Sequence, residues 1–263
     1  GDRGHDRPER RLMAITLKGD AEVPPVMTAA TGTVDINVTP DHKVSGSVTV
    51  SHLRFSSEPI RSTYLIREAN LVACHQFHLL ERMDVLEYIV PGGTFLLNSP
   101  FSAEETWDRM PVETQRVIRE LNLRVYVMDA MSIAASCGLG KRINTVMQTA
   151  FFCLTGLMPL GAAIASMKEA IQKTYGKRGP QVVEKNLAAV DLAARGLKEM
   201  VVPVDGESAM HRRSAVAAAA PTFVKRVLAP IIAGHGDGLP VSALPVDGTF
   251  PVGTARWEKR NIA

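Results

Sequence analysis

The sequence predicts an α/β fold with a parallel βαβ core, a helical C-terminal half and a short β segment in front. Between residues 70 and 128, short apolar runs of the kind found in strands covered on both faces alternate with helical stretches. Helical patterns then continue to about Met200, and alternating apolar and polar residues mark much of the first fifty positions. These observations together predict a Rossmann-like three-layer domain.

The β segment comes first. The stretches MAITLKG (13–19), TGTVDINVTP (31–40) and VSGSVTVSHL (44–53) alternate apolar and polar residues and are separated by turn residues, as antiparallel strands are. The residues before them are polar and charged, which predicts a flexible terminus. The sequence therefore divides into a flexible N-terminus (1–12), a β-strand segment (13–50) and an α/β domain (51–263).

Three buried strands are predicted next: LVACH (71–75), TFLLN (94–98) and RVYVM (124–128). Apolar residues near helical spacing predict a helix over 79–90 between the first two strands, ended by the PGG turn. Before the third strand, Ser102 and Glu105 have the spacing of a capping box, and helical material continues over 111–121. This βαβαβ order predicts a parallel sheet.

The C-terminal half is predicted to be mostly helical. The breaks MPLG (158–161) and YGKRGP (175–180) divide it into three helices, and a further helix is expected at 221–232. In the first of them, one face of the helix carries a regular apolar stripe that predicts burial in the core. Its members are Ile143, Val146, Met147, Ala150, Phe151 and Leu154.

Composition excludes several classes of protein. The formal charge of +3, from 30 basic and 27 acidic residues, is too small for a nucleic-acid-binding surface. The longest apolar region, 149–165, contains a proline and does not read as a membrane span. The three cysteines form no CxxC pair, which argues against a disulfide framework or a metal site and favours the cytoplasm.

The stretch GLGKRIN (138–144) precedes the apolar stripe and has the chemistry of an anion site. Lys141 and Arg142 are placed beside the unpaired amides of a helix start, and Asn144 and Gln148 are neighbours on a second face of that helix. The alternative is a tight glycine turn with solvated cations. The pattern lacks a third glycine and follows a helix, so it is not a dinucleotide-binding fingerprint.

The stretch SHLRF (51–55) is predicted where a strand gives way to a loop, and it offers Ser51, His52 and Arg54 as hydrogen-bond donors. Loops at the carboxyl ends of strands are where α/β folds usually bind ligands. The alternative is a capping serine and a surface arginine. His75 and His78 are three residues apart, but without a third ligand at a suitable spacing they do not predict a metal site.

Several segments together resemble one known family. VSHLRFSSEPIRSTYLI, ACH, GGTFLLNSPFS, GLGKRINTVMQTAFF, YGKRGPQVVEKNLAAVD and LPVSALPVDGTFPVGTARWEKRNIA occur in that order over about 48–263. They resemble the pyruvate:ferredoxin (flavodoxin) oxidoreductases, in the domain equivalent to the gamma subunit of multi-subunit 2-oxoacid:acceptor oxidoreductases. Residues of about 14–51 instead resemble the start of a CHRD domain, an all-β module.

The resemblance implies a cytoplasmic enzyme that decarboxylates pyruvate on thiamine diphosphate, passes electrons through iron–sulfur clusters and transfers the acetyl group to coenzyme A. This chain would be its coenzyme-A-side domain. The thiamine diphosphate and the clusters would belong to partner domains or subunits, with ferredoxin or flavodoxin as an indirect partner. The chain alone is then expected to be inactive. The alternative is a non-catalytic binding or structural protein built on the same domain.

The resemblance also implies a set of coenzyme A contacts and assigns no catalytic residue to the chain. The SHLRF stretch supplies the first candidates, which are Ser51, His52, Leu53, Arg54 and Phe55, and Arg82 is a cation further along the chain. Polar residues inside the later matching segments are the second group, which comprises Arg142, Asn144, Gln148 and Asn186.

Overall fold

The computed structural model describes residues 11–18, 48–55 and 65–257. Most of the predicted flexible N-terminus and the strand predicted at 31–40 lie outside these described residues. Within them, no helix is long and apolar enough to cross a membrane.

A six-stranded sheet forms the centre of the fold, in the order β2-β1-β3-β4-β5-β6. The four inner strands are parallel, and β2 and β6 pair antiparallel at the two edges. The strands are β1 (Arg11–Lys18), β2 (Val48–Phe55), β3 (Ala69–Cys74), β4 (Ile89–Asn98), β5 (Arg124–Met128) and β6 (Lys198–Met200). The predicted parallel core is confirmed, and so is the antiparallel pairing of the first segment.

Helices cover both faces of this sheet, which confirms the three-layer prediction. One layer contains α1 (Ala103–Arg109), α2 (Val112–Glu120) and the 3₁₀ turn Phe77–Glu81. The other contains α3 (Ala130–Ser136), α4 (Asn144–Thr155), α5 (Leu160–Tyr175) and α6 (Pro180–Gly196). A last helical stretch is π-helical over Val224–Leu228 and continues as α7 (Ala229–Ile232).

The capping box at the start of α1 is present as predicted. The Ser102 hydroxyl accepts a hydrogen bond from the Glu105 amide at 3.2 Å, and the Glu105 carboxylate accepts one from the Ser102 amide at 3.3 Å. This reciprocal pair satisfies two amides that the helix itself leaves unpaired.

The helix predicted over 79–90 was wrong, because only the 3₁₀ turn Phe77–Glu81 forms there. The Asp84 carboxylate accepts a hydrogen bond from the Leu86 amide at 3.2 Å, a local contact that competes with helical pairing. Leu79, Leu80 and Leu86 are buried in the core although the backbone here is irregular. The spacing of the apolar residues therefore indicated core contacts and not one face of a helix.

The region between β5 and β6 contains four α-helices, whereas three were predicted. The extra break is at Gly138, whose φ of +70° ends α3, and the Leu139 amide bonds back to the Ala134 carbonyl at 2.9 Å. The short strand β6 was also missed, because three residues carry no readable pattern.

The segment 203–213, here called the strap, runs over helix α2 and is held by polar contacts. Arg116 makes two hydrogen bonds of 2.8 and 2.7 Å to the carboxylate of Glu207. Arg119 donates to the carbonyls of residues 203, 205 and 206. Beyond the strap, a small separate core gathers around Val216, Val224 and Leu228.

Candidate functional site

The SHLRF stretch is part of strand β2 and not a loop, which corrects the sequence-based prediction. Leu53 and Phe55 pack against the core beneath helices α3–α6. The Phe55 ring lies 5.9 Å from the ring of Phe151 in α4, measured between centroids. These two candidates are therefore packing residues that join the edge strand to α4.

The edge of the sheet at which β2 ends also differs from the expectation. Because β2 is antiparallel to β1, it runs toward the amino ends of the parallel strands, and Phe55 pairs with Arg11, the first residue of β1. Arg54 is thus at the edge of the sheet opposite the carboxyl ends, where α/β ligands usually bind. The sequence predicted an antiparallel strand here but not the edge of the sheet at which that strand ends.

The polar residues of β2 are largely buried. Ser51 is 5% exposed and Arg54 is 6% exposed. His52 is half-buried, and its Nδ1 accepts a hydrogen bond from the Ile66 amide at 3.1 Å. Burial lowers the pKa of His52, and the positive charge of Arg54 lowers it further, so the neutral imidazole is favoured.

The amino end of α4 exposes two of the predicted cations, Lys141 and Arg142. They come just before the helix and not in its first turn, because α4 begins at Asn144 with Ile143 at the N-cap. No side-chain hydrogen bond caps this end, and the uncapped amino end of a helix attracts anions. Gly140 has a φ of +62°, which suits the preceding turn.

A third cation, Lys185 of α6, is brought to this turn by the fold. A Cβ added at Gly138 would lie 3.2 Å from the Lys185 Cε atom, so the side chain of Lys185 lies directly against Gly138. Lys185 is exposed, as Lys141 and Arg142 are. Sequence reasoning missed it because α4 and α6 are far apart in the chain and only tertiary packing brings them together.

Asn186 is buried and its amide is used within the fold. Its Oδ1 accepts from the Thr145 hydroxyl at 2.9 Å, and its Nδ2 donates to the Val182 carbonyl at 2.8 Å. Asn186 therefore ties α6 to α4 and keeps Lys185 near the glycine turn. Asn144 and Gln148 are half-buried on α4 and retain some solvent access.

Arg82 lies away from the other candidates. It is exposed at the end of the 3₁₀ turn Phe77–Glu81, on the layer that carries α1 and α2. The predicted residues thus fall into three places: the edge strand β2, the start of α4, and the opposite layer.

A further polar cluster lies at the carboxyl edge of the parallel strands. Asn98, at the end of β4, donates from Nδ2 to the His75 carbonyl at 2.9 Å and accepts at Oδ1 from the Ala130 amide at 2.9 Å. It therefore links the ends of β3, β4 and β5. The sequence signal that could have identified Asn98 is its position directly after the apolar residues of TFLLN.

Two titratable groups beside this cluster are shifted by burial. The pKa of the Cys74 thiol is raised to about 12, so the thiolate nucleophile is not formed near neutral pH. The pKa of His75 is lowered to about 4, so its imidazole is neutral. Within the described ranges, no group of three His, Cys, Asp or Glu residues could hold a metal ion.

We expect His75 to make the protein less stable in mild acid. Its pKa falls from an ordinary 6.5 to about 4 on folding, so between these values the unfolded chain binds a proton that the folded chain does not. Stability therefore falls as pH decreases, by about 2 kcal/mol at pH 5 relative to pH 7. Urea unfolding of wild type and His75→Gln at both pH values measures this. Identical pH dependence in the two proteins would contradict it.

Two family models match the chain. One, described as pyruvate ferredoxin/flavodoxin oxidoreductase, covers residues 33–196, and the other, a domain of unknown function named EKR, covers residues 209–263. The first match begins inside the segment that resembled a CHRD domain. The boundary proposed near residue 51 stays a prediction, and it falls inside strand β2.

Curated relatives are similar over most of the chain. The pyruvate-flavodoxin oxidoreductase of Nostoc sp. is 49% identical over 230 residues, which is 85% of this chain and 19% of that protein. The pyruvate:ferredoxin oxidoreductase of Moorella thermoacetica is 48% identical over 223 residues, again 85% of this chain and 19% of the relative. The chain therefore spans about a fifth of the length of these proteins.

A solved structure supports the fold. The gamma subunit of a keto/oxoacid ferredoxin oxidoreductase from Geobacter sulfurreducens aligns with 72% of this chain and 96% of its own chain. The TM-score is 0.50 and the identity is 14%, a similarity that concerns the fold alone.

Proposed function

Because the chain belongs to the pyruvate ferredoxin/flavodoxin oxidoreductase family, we propose that it is the coenzyme-A-side, gamma-like domain of a 2-oxoacid oxidoreductase. In this role it contributes to the oxidative decarboxylation of pyruvate to acetyl-coenzyme A. The observation that carries the proposal is the 49% identity, over 230 residues, to a protein named pyruvate-flavodoxin oxidoreductase. The other domains or subunits of such an enzyme are the direct partners, with ferredoxin or flavodoxin as an indirect one, in the cytoplasm.

The redox and thiamine chemistry is proposed to belong to those partners. An iron–sulfur cluster is usually held by four cysteines, whereas the chain has three, at Cys74, Cys137 and Cys153. Cys74 is buried at the end of β3. Cys137 and Cys153 are half-buried, the first just after α3 and the second within α4. These residues do not fit such a cluster, so the part played by this chain is binding and orientation.

Coenzyme A is proposed to meet the chain at the amino end of α4. Its phosphates need positive charge and amide donors, and both are present there as Lys141, Arg142, Lys185 and the uncapped end of α4. Arg142 is the strongest candidate, because a guanidinium can make two parallel hydrogen bonds to one phosphate. Asn144 and Gln148 are exposed enough to contribute further hydrogen bonds.

The residues of β2 are proposed to hold α4 in place and not to contact coenzyme A themselves. The Phe55 ring contacts that of Phe151 on α4, so the edge strand fixes the helix that carries the basic turn. Ser51 and Arg54 are buried and do not offer a surface to a phosphate in this structure. Arg82 lies on the opposite layer, so the Arg82→Ala variant tests whether coenzyme A binds on that layer instead.

The experiment is a hybrid of the Nostoc relative in which its matching region is replaced by that of this chain. We expect the folded hybrid to oxidise pyruvate with coenzyme A and an artificial electron acceptor. Arg142→Ala should raise the KM for coenzyme A by about 10- to 100-fold and leave kcat nearly unchanged, because a hydrogen bond to a charged group contributes about 1.5–3 kcal/mol. Lys225→Ala removes the same charge from an exposed site elsewhere and is the matched control.

Each of the other possible outcomes contradicts a different part of the proposal. A folded but inactive hybrid contradicts the proposed function and favours a non-catalytic binding protein. An unchanged KM for Arg142→Ala removes the amino end of α4 from the site. An increase for Arg82→Ala alone places coenzyme A on the layer of α1 and α2.

A further inference from the structure

Residues 239–252, here called the valine arm, repeat one short pattern three times. An apolar residue, a proline and a valine follow each other at 239–241, 244–246 and 250–252. The valines are almost completely exposed, at 89% for Val241, 108% for Val246 and 103% for Val252. Three exposed, β-branched side chains within fourteen residues concentrate apolar surface in one short segment, and concentrated exposed apolar surface is typical of interaction sites.

The backbone of the arm holds the valines in this arrangement. Each valine follows a proline, whose ring fixes the local φ angle. Two of the repeats are closed by turns, in which the Ala243 amide bonds to the Pro240 carbonyl at 2.8 Å and the Gly248 amide to the Pro245 carbonyl at 3.0 Å. A rigid segment with small side chains loses little conformational entropy when it binds.

Aromatic contacts anchor the end of the arm to the rest of the protein. The Phe250 ring packs edge-on against Phe223 with 5.2 Å between centroids, and Trp257 packs against the small C-terminal core. Phe250 is partly covered by this contact, at 45% exposure, whereas the three valines remain almost completely exposed. The only charged residue within the arm is Asp247, so the complementary surface is apolar and largely uncharged.

We propose that the valine arm docks into an apolar groove on another domain of the same oxidoreductase. The inference rests on the proposed function and names a partner surface for it. The chain spans 19% of the Nostoc relative, so most of the surface available in such an enzyme lies outside the chain. The arm is also part of the region matched by the second family model, at 209–263.

The size of the arm favours a partner within the same assembly over a second copy of this chain. The arm has fourteen residues, whereas a stable interface between free proteins uses about 20–30 residues on each side. A small contact is sufficient when the partner is already held nearby, because the effective concentration is then high.

Hydroxyl-radical footprinting of the isolated chain and of the Nostoc hybrid tests the proposal, because it measures the solvent access of individual side chains. We expect Val241, Val246 and Val252 to oxidise at least about fivefold more slowly in the hybrid, as expected for side chains withdrawn from water into an interface. Val201 and Val204, at 90% and 88% exposure, are matched controls and should oxidise equally in both proteins. Val246→Asp in the hybrid should restore fast oxidation at Val241 and Val252, whereas Val204→Asp should not.

Each result separates the inference from the proposed function. Equal oxidation rates in an active hybrid overturn the docking of the arm and leave the proposed function intact. A protected arm in an inactive hybrid supports docking and contradicts the function, and an unprotected arm in an inactive hybrid contradicts both. Slow oxidation in the isolated chain, together with a dimer in sedimentation equilibrium, identifies a second copy as the occupant and overturns the proposal.

Discussion

Replacing Phe151 by Ala is expected to lower the free energy of unfolding by about 3–5 kcal/mol. Phe151 is 4% exposed, and its ring lies 5.9 Å from Phe55 and 5.2 Å from Phe152. Truncation removes apolar contacts and leaves a cavity between strand β2 and helix α4. Urea unfolding followed by circular dichroism measures the loss.

The control for this substitution is Leu160→Ala. Leu160 is also a large apolar residue on the helical layer, but it is 49% exposed at the start of α5. Its truncation should cost less than about 1 kcal/mol, the usual scale for surface positions. A loss that small for Phe151→Ala would mean that the apolar stripe of α4 does not carry the core.

The second large effect is expected at Asn98. Asn98→Ala removes both hydrogen bonds that join the ends of the parallel strands and leaves the His75 carbonyl and the Ala130 amide without this partner. Because Asn98 is 6% exposed, each of the two orphaned groups costs about 1–3 kcal/mol, so the total loss is about 2–6 kcal/mol. The same unfolding measurement applies.

Asn98→Asp sharpens this test. The aspartate can still accept from the Ala130 amide, but it places a carboxylate oxygen against the His75 carbonyl in place of a donor. We expect a loss comparable to that of Asn98→Ala, since a buried charge then faces a like partial charge. Asn144→Ala, at a half-buried position on α4, is the control. A loss under about 1 kcal/mol in Asn98→Ala would show that the strand ends are held by other contacts.

Much of the parallel core could be predicted because the determinants are local. Apolar runs such as TFLLN are read directly from the sequence as doubly covered strands, and Ser102 with Glu105 identifies the start of α1. The stripe on α4 also predicts burial correctly for Phe151, at 4% exposure. Leu154 is only half-buried, because it lies in the last turn before Gly156 ends the helix.

The candidate site was harder to predict because it depends on direction and on distant contacts. His52 and Arg54 drew attention as polar donors, yet their alternation with Leu53 and Phe55 is the period-two pattern of a strand, in which successive side chains point to opposite faces. The antiparallel pairing of β2 was predicted, but nothing local states that its partner β1 runs parallel to β3, which places the end of β2 at the amino edge of the sheet. Lys185 reaches the glycine turn because α6 packs against α4, through buried apolar residues and the hydrogen bond from Thr145 to Asn186, and no linear pattern encodes this packing.

The strap at 203–213 is held to α2 by polar contacts, so we expect it to unfold locally more readily than the sheet does. Its Arg116–Glu207 pair is about half exposed on both sides, and such pairs contribute little to stability. The sheet, by contrast, is held by buried apolar residues such as Phe95 and Leu96. Hydrogen exchange should therefore show the strap and the small core beyond it opening at lower free energy than the sheet, as a separate cooperative unit that responds to ionic strength.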